Sequence, residues 1–222
     1  MTPTTIDPIG RYCGRFDASW LGEPLNSFSN VAFLVAAALA FRRWRTSNDR
    51  DPAALGLIVL ASMIGIGSFI FHSHPTHWTQ PIDLIPIQIF GFAYAAFVMR
   101  RLLGASWPAT LVVTVTFGGV LAGWQRVMRG VLGGAAGHGL SVIAILIVAL
   151  VLSRRRDPRA RWLLVAAASY TVALVFRAID LPICASFPIG VHWIWHLVQG
   201  VTIGSLLRVA LASVGAVSDR TG

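Results

Sequence analysis

Two short runs place imidazoles at helical spacing. Ser68 and His72 stand four residues apart in Gly67-Ser68-Phe69-Ile70-Phe71-His72, and His192 and His196 stand four apart in His192-Trp193-Ile194-Trp195-His196. Residues i and i+4 share one face of a helix. Asp83 follows the first run, in Ile82-Asp83-Leu84-Ile85-Pro86, just after Gln80. Three neutral imidazoles around one open position describe a catalytic zinc site. Such a site lowers the pKa of a water to about 7. Asp83 could accept that water's proton, and Ser68 could hydrogen-bond a ligand or a developing oxyanion.

Taken singly, each residue has a plainer reading. A histidine pair at this spacing is more often a packing or hydrogen-bonding pair. Asp83 suits the first turn of a helix, where the macrodipole favours a carboxylate. Ser68 could simply bond back to a helix carbonyl. His74 and His77 are surface residues or substitute ligands. The coincidence of Ser68, His72, Asp83, His192 and His196 at one depth points to chemistry.

That depth is set by seven apolar segments. The 222 residues are 55% hydrophobic and only 12% charged, with a mean hydropathy of +0.69. A soluble domain usually carries about 25% charged residues. The deficit points to lipid as the solvent, where a spanning helix needs roughly 20 apolar residues. The expected spans are Asn26–Phe41, Ala53–Phe71, Ile82–Met99, Trp107–Gly123, Val131 or His138 to Leu152, Trp162–Ile179 and Val191–Leu211. Residues 1–25 form an extramembrane segment without the basic and apolar regions of a signal peptide. Residues 212–222 form a short tail. The reading is a single all-α, seven-helix membrane domain. Spans two and seven run in opposite directions, so the end of one and the start of the other meet at one face. Substrates entering such a site sideways from the bilayer would be lipids.

The net charge of +9 comes from 18 arginines and no lysine. They sit in short clusters between apolar runs, which argues against a nucleic-acid partner. A Schiff base needs a lysine, so a retinal pigment is excluded. Thirteen of the 18 fall on one side of the expected bundle, including Arg42, Arg43, Arg100, Arg101 and the Arg154–Arg161 run. The positive-inside rule makes that side cytoplasmic, with the N-terminus outside, the C-terminus inside and the histidines in the outer leaflet. Exclusive use of arginine hints at a bacterial genome, hence an inner membrane. Most tryptophans, among them Trp20, Trp78 and Trp107, fall near span ends, as in an aromatic belt. Cys13 and Cys184 fall on the outer side, either bridged or as two free thiols. Arg177 and Asp180, three apart, suit an ion pair at the outer interface.

Gly67-Ser68-Phe69-Ile70-Phe71-His72, then Gln80 and Asp83-Leu84-Ile85-Pro86, resembles a pattern of the alkaline ceramidases. So do His192-Trp193-Ile194-Trp195-His196 and the stretch Glu23-Pro24-Leu25-Asn26-Ser27-Phe28-Ser29-Asn30. The resemblance touches spans one to three and seven; spans four to six match only as hydrophobic segments. It implies a seven-helix hydrolase that cleaves ceramide to a sphingoid base and a fatty acid. It implies Zn2+ held by His72, His192 and His196, with Asp83 and Ser68 at the reacting centre. The family's cysteine matches Cys13, which strengthens a bridge to Cys184. The family also carries an N-terminal Ca2+ site. Here Arg11-Tyr12-Cys13-Gly14 replaces its acidic segment, leaving Glu23, Asp17 and Asn26 as the remaining candidate ligands. Leu84 stands where the family has Glu. Receptors of the same superfamily give the competing reading, a sensor with a structural zinc. The short inner loops offer it little signalling surface, and no pair of broken helices suggests a transporter.

Overall fold

The computed structural model describes residues 7–132 and 135–218. Among these residues the elements are helices, α1 (Pro24–Phe28), α2 (Val31–Thr46), α3 (Pro52–Ser73), α4 (Gln80–Phe97), α5 (Trp107–Leu132), α6 (Ala136–Arg154), α7 (Ala160–Ile183) and α8 (His192–Ser218), joined by turns and preceded by an irregular segment. A five-residue π-helical turn, Val98–Leu102, extends α4. Among the described residues, counting α1 with α2, seven helices are long and apolar enough to cross a membrane. Their outward side chains, such as Leu39, Ile66, Ile85 and Val115, are exposed aliphatics. This is the surface of an integral membrane protein, whose solvent is hydrocarbon.

All seven expected spans are present, most of them longer than hydropathy alone indicated. α3 begins where Asp51 caps it, the carboxylate accepting from the Ala53 N–H at 2.9 Å, with Pro52 in the first turn. Proline suits that position because its missing N–H would have no intrahelical partner. The first span is broken at Ser29–Asn30, where the Asn30 side chain donates to the Asn26 and Ser27 carbonyls. The fifth span starts at Ala136, between the two starts expected for it. The last runs to Ser218, seven residues past Leu211 and into the expected tail. Gly133, Gly134 and Arg220 lie outside the described residues.

Helices neighbouring in sequence pack as antiparallel pairs, and α8 closes the bundle by packing on both α2 and α7. Apolar side chains gain little by leaving lipid for one another, so close approach of backbones must supply the attraction. Small residues allow it: Ala61, Ala149, Ala166, Ala173 and Ala210 are completely buried. Burial is uneven. α8 is the most enclosed span, with 61% of its apolar window buried, and α5 the least, with 11%. The helix that begins with two of the three histidines is therefore the best-supported one. At the far end of the bundle, Arg208 lies over the Trp162 ring and Arg100 over Trp107. Trp20, Trp78 and Trp107 are exposed near helix ends.

Candidate metal centre

His72 sits in the last turn of α3, His192 opens α8, and His196 follows one turn later. Opposite helix directions bring these ends together. One ring nitrogen from each lies within 4.8 Å of the other two, and all three side chains are buried. Among the described residues this is the group able to hold a metal ion.

Two of the imidazoles are held at one ring nitrogen by a polar side chain. The Glu23 carboxylate lies 3.0 Å from His72 Nδ1, and the Ser29 hydroxyl lies 2.7 Å from His196 Nδ1. That leaves Nε2 of both rings for the interior. His72 Nε2 and His192 Nδ1 are buried with no hydrogen-bond partner. Buried polar atoms are rarely left so, and a cation would satisfy them. Carboxylate or hydroxyl partners behind metal-binding imidazoles fix their tautomer and raise their basicity. The residues thus fit a metal ion, and three histidines are a donor set that zinc favours.

Ser68 lies one turn before His72 on the same face of α3, and Asp83 opens α4. Gly67 brings them together. A Cβ at this position would stand 2.2 Å from the Ile82 carbonyl oxygen, so only glycine lets the start of α4 reach α3 here. Both residues are buried, and Asp83 Oδ1 has no partner. Elsewhere on α3, Ser62 and Ser73 bond back to helix carbonyls; Ser68 lines a cavity of about 250 Å³. Asp83, His192 and His196 line it too, and the cavity continues between apolar residues such as Ile87, Val148 and Leu206. The structure brings all five residues singled out in the sequence to one end of the bundle. His74 and His77 are exposed and take no part.

The N-terminal segment crosses this end of the bundle as a strap. A Cys13–Cys184 disulfide ties it to the turn after α7. Asp180 secures the same corner: one carboxylate oxygen accepts from the Cys13 N–H, the other from the Val191 and His192 N–H groups. The Asp180 carboxylate thus caps the start of α8 and fixes the height of His192, a different role from the surface ion pair expected in the sequence. Gly190 permits the arrangement, since it has φ +65° and a Cβ there would fall 2.6 Å from Asp180 Oδ1. Tyr12 then stacks on His192 with ring centres 4.0 Å apart, and Arg177 donates to its hydroxyl. Burial pushes the Tyr12 phenol above its usual pKa, so it remains neutral.

The residues expected for calcium do not fit that ion. The Asp17 carboxylate is exposed and bonds to Ser19. Glu23 accepts from Arg15 at Oε1, and its Oε2 meets His72 and the Asn26 amide. Arg15 also donates to the Ser19 carbonyl, so a guanidinium occupies the acidic corner. Calcium requires six to eight oxygens; nearby, Asn26 Oδ1 and Asp7 Oδ2 lack partners. Tyr12, Arg15, Ser29 and Asp180 were not visible as site residues in the sequence. The one available signal was polarity at the very ends of apolar spans.

The ceramidase family matches residues 18–217. The chain belongs to the ceramidase family. The match extends over α5, α6 and α7, where the motifs alone had been silent. No individually curated protein matches the chain. Family membership makes this ceramidase-family protein a hydrolase acting on amide bonds, with a lipid as substrate.

Proposed function

We propose that this protein is a zinc-dependent hydrolase that cleaves ceramide, or a ceramide-like N-acyl lipid, into a long-chain base and a fatty acid. The observation that carries the reading is the convergence of His72, His192 and His196 beside a cavity that also presents Asp83 and Ser68. Zinc, when bound by the three imidazoles, supplies Lewis acidity that makes water nucleophilic at neutral pH and polarises a carbonyl.

The chain's own groups carry the rest. The apolar part of the cavity takes up hydrocarbon and holds the amide at the polar end. Asp83 Oδ1, unpartnered at rest, takes a proton from the attacking water. A C–O bond forms as negative charge grows on the amide oxygen, and the Ser68 hydroxyl donates to it. Asp83 then returns its proton to the nitrogen as the C–N bond breaks. Glu23 and Ser29 keep the imidazoles aimed, and Tyr12 covers His192 from outside.

The arginine clusters support a cytoplasmic face at the far end of the bundle; we take the site to lie towards the outer leaflet, of an inner membrane if the chain is bacterial. The test is mass spectrometry of N-acyl lipids incubated with wild type and with Asp83→Asn. Wild type releases base and fatty acid, whereas Asp83→Asn retains metal and releases neither. Zinc-loaded wild type inert across a broad lipid panel would refute the reading.

A further inference from the structure

Away from the histidines, the lipid-facing sides of α7 and α8 both end in an arginine. On α8, Leu197 and Val201 are exposed aliphatics, and exposed Arg208 continues the same face three and two turns further on. Its neighbours Leu206, Leu207, Val209 and Ala210 are all buried, so Arg208 is the outward position of this stretch. On α7, exposed Arg161 shares a face with exposed Leu164 and Val165, three and four residues later. The two helices are packed neighbours, so both stripes border one seam.

Both guanidiniums converge on one indole at the foot of that seam. Arg208 Cζ stands 4.1 Å from the centre of the Trp162 ring, and Arg161 Cζ 5.5 Å from it. The ring quadrupole attracts each cation, and the stacking orients the planar forks. Two like charges on one ring still repel, and a neighbouring carboxylate would be the ordinary remedy. Among the described residues, no carboxylate pairs with either arginine. Asp51 at this end is paired with Arg101, and Asp157 with Arg159. Cations at the edge of hydrocarbon are costly without a partner, and an anion bound by both removes the cost.

The surroundings select the kind of anion. A phosphate presents several oxygens, which suit guanidinium forks that bind two at a time. A phosphate free in water has no use for the aliphatic stripes that lead to the arginines. A phospholipid brings the phosphate together with chains that cover Leu164, Val165 and Val201. A zwitterionic headgroup also brings a cation, which the two arginines repel, whereas an anionic headgroup does not.

We propose that Arg161 and Arg208, both stacked on Trp162, form a binding site for the phosphate of an anionic phospholipid whose chains lie along the α7–α8 seam. The site stands twelve residues beyond His196 on α8, about 18 Å along the axis, and is independent of the hydrolase reading.

The experiment is native mass spectrometry of the purified full chain titrated with phosphatidylglycerol, with phosphatidylcholine of the same chains as comparison. Excess inorganic phosphate serves as a competitor. Wild type is expected to retain phosphatidylglycerol in preference to phosphatidylcholine, and inorganic phosphate should not displace it. Arg161→Gln with Arg208→Gln should bind phosphatidylglycerol about thirtyfold more weakly, and each single variant about fivefold more weakly, as for basic residues at an anionic lipid. Arg42→Gln with Arg43→Gln removes the same charge from exposed positions at the same end, and its affinity should stay close to that of wild type. Equal retention of the two lipids by wild type overturns the site. So does a loss in the Arg161/Arg208 variant no greater than in the Arg42/Arg43 variant, which would make the attraction one of overall charge. Displacement of phosphatidylglycerol by inorganic phosphate overturns the lipid assignment in favour of a soluble phosphate.

Discussion

Glu23 and His72, 49 positions apart in the chain, meet at 3.0 Å with both side chains completely buried. The carboxylate holds the imidazole at Nδ1 and leaves Nε2 without a hydrogen-bond partner. Removing its charge should weaken the metal site and, because the buried Arg15 guanidinium loses its carboxylate, lower Tm as well. Partners of this kind are typically worth about 10–100-fold in metal affinity. Glu23→Gln is expected to lose zinc affinity in that range, and Ser29→Ala, which frees His196 Nδ1, to lose somewhat less. Competition with a chromogenic chelator measures both. Unchanged affinity in the two variants would show that the partners do not tune the site.

Gly67 tests the positioning of Ser68 against Asp83. A methyl group there collides with the Ile82 carbonyl, whereas one at Gly56 on the same helix meets nothing within 4 Å. Gly67→Ala should force α4 outward, lower Tm and reduce kcat by about tenfold or more, since small misplacements at a reacting centre are costly. Gly56→Ala should leave both unchanged. Equal behaviour of the two variants in thermal melts and turnover assays would contradict the close-approach account.

Arg15 makes a cation part of the chain. Its guanidinium donates to Glu23 at 3.2 Å and is itself buried. Calcium chelation is therefore expected to leave Tm, zinc content and turnover unchanged. Arg15→Gln should be destabilising by about 3–5 kcal/mol, because it strands a buried carboxylate. A loss of activity on selective calcium removal, restored by adding calcium back, would show that the ion binds after all.

The Cys13–Cys184 bridge closes a separation of 171 residues and holds Tyr12 over His192. Removing a native disulfide commonly costs about 2–5 kcal/mol. Cys13→Ser with Cys184→Ser, or mild reduction of wild type, should lower Tm and depress turnover together as the strap loosens. Melting curves with and without reductant decide it. Identical curves would leave the bridge without a stabilising role.

The sequence made the spans and the histidine pairs legible for the same reason. Apolar runs and i, i+4 spacing are local patterns, and antiparallel helix directions then dictate which ends meet. What escaped depends on contacts distant in the chain. Glu23 looked like a calcium ligand because a carboxylate does not announce its partner, and His72 and Arg15 are both needed to see its role. Asp180 looked like half of an ion pair with Arg177, yet its partners are backbone N–H groups of Cys13, Val191 and His192, which carry no side-chain signature. The break at Ser29–Asn30 was hidden because Asn30 side-chain bonding to carbonyls reads in sequence as ordinary polarity at a helix start.

The central claim is that three imidazoles share one zinc ion, and zinc K-edge X-ray absorption on the purified protein addresses it directly. Both cysteines are bridged to each other, so sulfur is not available as a ligand. The expected result is about one zinc per chain with three nitrogen neighbours near 2.0–2.1 Å and a further light atom. That spectrum should be lost when His72, His192 or His196 is replaced by alanine. Protein that binds no zinc when the ion is supplied, or a spectrum indifferent to these substitutions, would contradict the account.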